Sequence, residues 1–332
     1  KSSVTKTHRN SYQMTSSISV CIPTLNRPDV LGKLLINLLQ HDYLPNEIIV
    51  VDSSEADCTR KKCQEFERYG LVKYIHSEIK QLTFQRNIAI NEALGDYILF
   101  LDDDIILEKG CIRALKIFLD EDKEEEFAAV GPVIINEFGK KIYKYQKLYY
   151  QLGLYDSLKP GTWLRCGDFI QNSFFPKTFE GIKHTAFLAA GTSMFRRKVI
   201  EVITPDPNFR FGGEDKHWTL RLSSNYKLGI IGAAGLYHYH FPGGGRKKPF
   251  IQGIISTMNM WKILNDCDNN LTLRRKYFFQ LYTLLDLNRR LWTNIVFLKS
   301  KGYPHIAGCF IGWFYNLLNF MFGRDMKTHI IL

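Results

Sequence analysis

Three consecutive carboxylates, Asp102, Asp103 and Asp104, close an apolar run in YILFLDDDIILEKG, residues 97–110. Like charges this close repel, and burial makes each of them costlier. A positive partner would make such a cluster useful. A divalent cation bridging a diphosphate would supply it, and hard oxygen ligands suit Mg²⁺ or Mn²⁺. Asp52 ends a second apolar run, EIIVVDSS. Glu214 and Asp215 follow a glycine pair in FGGEDKHWTLRL. A helix start keeps a carboxylate ionised, as a general base must be. His238 and His240 in LYHYH share one face if that segment is extended, and either imidazole could complete a metal site.

These groups need a scaffold that gathers them. ISVCIPT, EIIVVDSS, LVKYIH, DYILFLDDD and FAAVGPVII read as strands. PDVLGKLLINLLQHD, TFQRNIAINEAL and EKGCIRALKIFLDE read as the helices between them, with Pro28 in a first turn and Thr83 as an N-cap. Strands alternating with helices predict an α/β fold: a mostly parallel sheet covered on both faces. Ligands of such sheets bind at the carboxyl ends of the strands. Thr24, Asn26, Asp52, Ser53 and Asp102–Asp104 all fall just after strands and should meet along one rim. No G-x-G-x-x-G follows the first strand, and no G-x-x-x-x-G-K-[ST] occurs, which sets aside the dinucleotide and P-loop readings.

The 332 residues carry a formal net charge of +11, which favours an anionic partner: a nucleotide, a nucleic acid or a membrane surface. Seven scattered cysteines with no CxxC pair predict reduced, packed thiols. Residues 1–16 are polar, without the apolar stretch of a signal peptide, and read as a loose tail.

In order and spacing, SVCIPTLNRPDVLGKLLINLL, EIIVVDSS, QRNIAINEALGDYILFLDDD, FGGEDKHWTLRL and LYHYH resemble the family 2 glycosyltransferases, whose fold is termed GT-A. The resemblance covers roughly residues 17–245. It implies a nucleotide-sugar-binding half (17–135) and an acceptor-binding half (136–245). Pro23, Thr24, Asn26 and Arg27 would line the nucleotide pocket. Asp52, with Ser53 beside it, would hold the base. Arg86 would lie near the diphosphate or support the loop around it. Asp102 would approach the ribose or donor sugar, with Asp103 beside it. Asp104 would ligate Mn²⁺ or Mg²⁺, together with His238 or His240. Asp215, with Glu214 beside it, would sit on the acceptor side. One departure stands out: VVDSS lacks the second acidic residue and the glycine that many relatives carry there.

Glycosyl transfer needs a stabilised leaving diphosphate, a base on the acceptor hydroxyl, and alignment of both substrates. Asp102–Asp104 answer the first need and Asp215 the second. Direct displacement without a protein nucleophile inverts the anomeric configuration. The implied partners are a nucleotide-diphosphate sugar and a glycan or lipid-linked glycan acceptor, as in bacterial surface polysaccharide synthesis, with no nucleic acid. Tyr149, Tyr150, Trp163 and Phe169 could shape an acceptor groove, or equally be core. Gly191 and Thr192 in FLAAGTSMFRRKVIEVI would lie against the acceptor, the glycine allowing close backbone approach. FPGGGRKK (241–248) reads as a basic loop suited to folding over a diphosphate.

Residues 246–332 change character. Their helical segments combine apolar faces with Arg246, Lys247, Lys248, Arg274, Arg275, Lys276, Arg289 and Arg290, and IAGCFIGWFYNLLNFMF (306–322) carries no charge. Helices lying on an anionic membrane surface are the first expectation; an oligomer interface or packing on the rest of the chain is the second, and a membrane span the third. The corresponding location is cytoplasmic, on the inner face of the cell membrane. Two rival functions share parts of this pattern: a sugar-phosphate nucleotidyltransferase and a non-catalytic, membrane-associated sugar-binding or scaffold protein.

Overall fold

A computed structural model describes residues 16–209, 212–243, 248–268, 271–296 and 302–322. The predicted N-terminal tail, apart from Ser16, lies outside the described residues, as do Gly244–Lys247 of the basic loop.

Four parallel strands form one side of the central sheet. β1 (Ile18–Thr24) pairs with β2 (Glu47–Asp52) and with β4 (Tyr97–Phe100), and β2 pairs with β3 (Val72–His76). Every residue of β1 and β4 is buried, the pattern of strands covered on both faces. α1 (Pro28–Leu39) carries Pro28 in its first turn and buries Leu31, Leu34, Leu35 and Leu38. α2 (Cys58–Gln64) and α3 (Leu82–Glu92) complete this half. Gln81, extended at φ −143° and ψ 125°, occupies the N-cap position of α3. Thr83, the expected cap, lies inside the helix, where its hydroxyl accepts from the Gln81 side chain at 2.8 Å.

After the aspartates the chain forms β5 (Ile105–Leu107), α4 (Cys111–Glu121) and the fully buried β6 (Phe127–Ile134). α5 (Lys144–Gln151), the small ribbon β7 (Thr162–Trp163) with β8 (Phe169–Ile170), and β9 (Ile182–His184) follow. β10 (Met194–Arg196) leads into α6 (Arg197–Ile200), then α7 (Glu214–Ser223) and β11 (Lys227–His238). The sheet runs β3-β2-β1-β4-β10-β6-β11-β5, with β9 also on β11. It is more mixed than the alternation of strands and helices predicts. β10 is antiparallel to both β4 and β6, and β5 and β9 are antiparallel to β11, while β6 and β11 are parallel.

Three helices close the described chain: α8 (Pro249–Cys267), α9 (Leu273–Val296) and α10 (Tyr303–Phe322). α8 and α10 meet at glycines. A Cβ on Gly308 would collide with the Phe250 carbonyl, and one on Gly253 with that of His305. The inner faces of α8 and α9 pack on the α/β body. Ile263 and Cys267 join Phe169, Phe187, Phe209 and Leu220, and Tyr282 joins Tyr149, Tyr155 and Phe174. Tyr282 donates to Asp168 at 2.5 Å, and Tyr155 donates to the same oxygen. No described helix is long and apolar enough to cross a membrane. All seven cysteines are free, and all but Cys58 are buried.

Candidate active site

The carboxyl ends of β1, β2 and β4 form one rim. Asp52, fully buried at the end of β2, accepts from the Ser54 amide at 3.0 Å, the Ser54 hydroxyl at 2.5 Å and the Tyr74 hydroxyl at 3.0 Å. The Ser54 hydroxyl accepts in turn from the Asn26 amide at 2.7 Å. Asn26 takes φ +55°, a left-handed conformation that asparagine tolerates better than most residues. Pro23 lies opposite Val51 in the β1–β2 ladder. Ser53 donates through its hydroxyl to Ile79 and through its amide to Thr24. Gln85 of α3 pins the rim from beneath, donating to the carbonyls of Thr24 at 2.9 Å and Val51 at 2.8 Å.

The three aspartates after β4 point different ways. Asp103 faces inward and is 1% exposed. It accepts from the Thr24 hydroxyl at 2.6 Å and pairs with Arg27 at 2.6 Å. Burial pushes its carboxyl up to about 7, against the opposing Arg27 charge and Thr24 hydrogen bond. Asp104 meets His238 at 3.2 Å, Arg27 at 3.2 Å and the Phe241 amide at 2.9 Å. Burial would raise its carboxyl, but the His238 hydrogen bond and charge, Arg27 and the Phe241 amide together hold it at about 2. Arg27 also donates to the Phe241 carbonyl at 3.2 Å, so one guanidinium joins the loop after β1 to the chain after β11.

Asp102 turns towards the second acidic site. Arg86, on α3 and 1% exposed, reaches Asp215 at 2.5 Å and Asp102 at 3.7 Å. Burial opposes the arginine's charge, but Asp215, Asp102 and Glu214 more than restore it. Asp215 lies in the first turn of α7, entered through Gly212 and Gly213 at φ +98° and +90°. Few residues other than glycine adopt that backbone. Glu214 accepts from the Gly212 amide at 2.8 Å, and burial and the Asp215 charge raise its carboxyl above the usual range. Gly191 accepts from the Asp102 amide at 2.8 Å, and a Cβ at Gly191 would overlap the Asp102 carboxylate. Its small size therefore serves Asp102 directly. Thr192 donates to the Ala189 carbonyl at 3.0 Å.

His238 ends β11, and His240 follows at φ +51°, with their ring centroids 3.8 Å apart. Glu137 joins them, 3.4 Å from His238 and 2.6 Å from His240. Burial would lower the His238 pKa, but Asp104, Glu137 and Asp102 raise it to about 10. The ligand atoms of Asp102, Asp104 and His238 lie within 4.8 Å of one another, as do those of Glu137, His238 and His240. Two carboxylates and an imidazole fit Mn²⁺ or Mg²⁺. Glu137 carries the same signal as the other site carboxylates, an acidic residue soon after a buried strand, but only the fold brings it to the histidines.

A cavity of about 200 Å³ opens beside Asp215, lined also by Glu137, Gln171, Ser173, Thr192 and Lys216. Trp163 is not in its lining. Its ring stacks on Phe169 at 6.3 Å, in the packing under α8. Tyr149 and Phe169 are likewise core, while Tyr150 is exposed.

Comparison with known proteins agrees with this architecture. The chain is 32% identical over 101 residues to the GalNAc(5)-diNAcBac-PP-undecaprenol beta-1,3-glucosyltransferase of Campylobacter jejuni, covering 30% of this chain and 33% of that protein. Over 112 residues it is 30% identical to the poly(ribitol-phosphate) beta-N-acetylglucosaminyltransferase TarS of Staphylococcus aureus, covering 31% and 19%. The matched region is thus well under two thirds of either relative. Among solved structures, GalNAc-T7 with UDP, GalNAc and Mn²⁺ superposes with a TM-score of 0.57 at 17% identity, covering 76% of this chain and 48% of that one. TarS 1–349 with UDP-GlcNAc gives 0.52 at 18% identity, covering 92% and 80%. These likenesses establish the GT-A fold. The family model described as glycosyl transferase family 2 matches residues 19–204, more than half of the sequence, and the chain belongs to that family.

Proposed function

We propose that this chain is an inverting, metal-dependent glycosyltransferase that moves a sugar from a nucleoside-diphosphate donor to a hydroxyl of a glycan or lipid-linked glycan, in the assembly of a bacterial surface polysaccharide. The observation that carries the reading is Arg86, which ties Asp215 to Asp102 inside the protein. A base for the acceptor and a carboxylate for the donor are thereby held in one frame. The relatives named for beta-1,3-glucosyl and beta-N-acetylglucosaminyl transfer support this class of reaction.

Pro23, Thr24, Asn26, Arg27, Asp52 and Ser53 would receive the nucleotide. Asp104 and His238 would hold the metal with Asp102, and Glu137 and His240 stand behind His238. When bound, the ion supplies positive charge to the departing diphosphate. Asp215 takes the proton of the acceptor hydroxyl as that oxygen attacks the anomeric carbon. The bond from that carbon to the diphosphate oxygen breaks, and the nucleoside diphosphate leaves with the electron pair. Arg86 holds Asp215 in place. Turnover of a nucleotide-sugar panel with Mn²⁺ separates this reading from its rivals. Pyrophosphate-dependent turnover would mark a nucleotidyltransferase, and no turnover of any donor a scaffold.

The helices α8–α10 support a further part of the proposal, peripheral attachment to an anionic membrane on the cytoplasmic side. Leu273, Tyr277, Trp292 and Val296 of α9 are exposed, as are Phe314, Met321 and Phe322 of α10. Arg275 is paired with Asp268, and Arg289 and Arg290 with Asp286. Apolar insertion therefore outweighs charge in the attachment. The protein should co-sediment with anionic vesicles more than with neutral ones, and high salt should weaken this only in part. A soluble oligomer with no vesicle affinity would refute it.

Three predictions concern the chemistry. In the metal-free protein His238 is protonated at neutral pH, because its pKa is raised to about 10. A metal takes it as neutral imidazole, so binding must expel a proton and tighten as pH rises. Calorimetric titration of Mn²⁺ with UDP at pH 7.5, in buffers of different ionisation enthalpy, should show release of about one proton. Asp104→Ala should lose metal-dependent UDP binding while staying folded. Unchanged affinity in that variant would remove Asp104 from the metal site. Asp215→Asn keeps the shape but removes the base, so transfer should fall roughly 10²–10⁴-fold while UDP binding persists. Transfer near the wild-type rate would require another base.

A further inference from the structure

Lys216 follows the proposed base on α7 and lines the cavity beside it. Its Nζ stands 4.1 Å from the centroid of the Phe169 ring and 5.6 Å from that of Phe187. It makes no ion pair among the described residues. The two carboxylates whose fields reach it, Asp168 and Asp215, are engaged elsewhere. Asp168 accepts from the hydroxyls of Tyr155 and Tyr282, and Asp215 is held by Arg86. Burial pulls the ammonium below the usual lysine range, against the charges of Asp168 and Asp215. The residue is half-buried, with its ammonium over the Phe169 ring in the cavity wall.

The cavity has the address of an acceptor subsite. Its lining runs from Pro132 to Ile230 in sequence, and no residue of β1–β4 or their rim contributes. At about 200 Å³ it is smaller than the roughly 300–1,000 Å³ of sites for drug-sized ligands, and it suits a single sugar unit. Gln171 and Ser173 offer polar side chains to sugar hydroxyls. An anionic sugar here would be repelled by Asp215 and Glu137 unless a cation met its charge. Lys216 is the cation in the wall.

We propose that Lys216 makes this cavity select an acidic acceptor sugar, a pyranose whose carboxylate rests on Nζ while one of its hydroxyls faces Asp215. The proposal rests on the glycosyl-transfer reading and names the substrate class of that site. It is tested by calorimetric titration of the full chain, saturated with UDP and Mn²⁺, with methyl β-D-glucuronide and methyl β-D-glucoside. The wild type should bind the uronide about 10- to 100-fold more tightly, the worth of a charge-assisted hydrogen bond. Lys216→Gln should reduce that preference to about twofold or less, and Lys216→Arg should keep most of it, with UDP affinity unchanged in both. Equal affinity for the two sugars, no binding of the uronide, or a preference that survives in Lys216→Gln would overturn the proposal. Loss of UDP binding by the wild type would instead strike the transferase reading, so the two failures are distinguishable.

Discussion

One buried guanidinium organises this site. Arg86 has almost no contact with water, and its charge is balanced by Asp215 and Asp102, which come from separate parts of the chain. Taking such a charge out of water costs several kcal/mol, and removing either partner leaves the rest uncompensated, typically at about 3–5 kcal/mol. Asp215 needs the helix start of α7, and Asp102 needs the strand end of β4. The arginine therefore couples the sheet edge that carries Asp102 to the start of α7. Gly191 completes the coupling, since any larger residue there would displace Asp102.

A second tie closes the opposite wall. Arg27 pairs with Asp103 and Asp104 and also donates to the carbonyl of Phe241. The segment after β11 is thereby fastened to the loop after β1, and His238 comes to lie against Asp104. The acidic triplet thus divides its work by direction. Asp103 faces inward as an anchor, while Asp102 and Asp104 face a common space with His238. The cluster is tolerable because Arg27, Arg86 and His238 lie against it. A divalent ion entering that space would displace the histidine's proton, so the site would gain one positive charge rather than two.

Much of this could be read from the sequence. The boundaries of β1, β2 and β4 follow from unbroken apolar runs, and the parallel rule places their trailing Thr24, Asp52 and Asp102 together. The glycine pair before Glu214 marks the start of α7, and the alternation in LYHYH puts both histidines on one side. Other features depend on contacts that local pattern does not carry. β10 is three residues long, too short for a periodicity, and its antiparallel place between β4 and β6 is set by those neighbours. Glu137 reaches the histidines only because β6 and β11 are paired. Thr83 looks like a cap, but the helix starts two residues earlier than that would allow, at Leu82 after an extended Gln81. Arg86 stands in a helix with little amphipathic pattern, and only the structure shows its reach to Asp215. The aromatic segment around Trp163 reads equally well as groove or core, and most of it packs beneath α8 and α9.

The central claim is that Arg86 and Asp215 act as one unit. A double-mutant cycle on kcat/KM for sugar transfer, using wild type, Arg86→Met, Asp215→Asn and the double variant, tests it most directly. If the arginine works by holding Asp215, each single change removes the same function. The double variant should then be little slower than the slower single variant. Losses that simply multiply would mean that the two residues act independently, and would contradict the account.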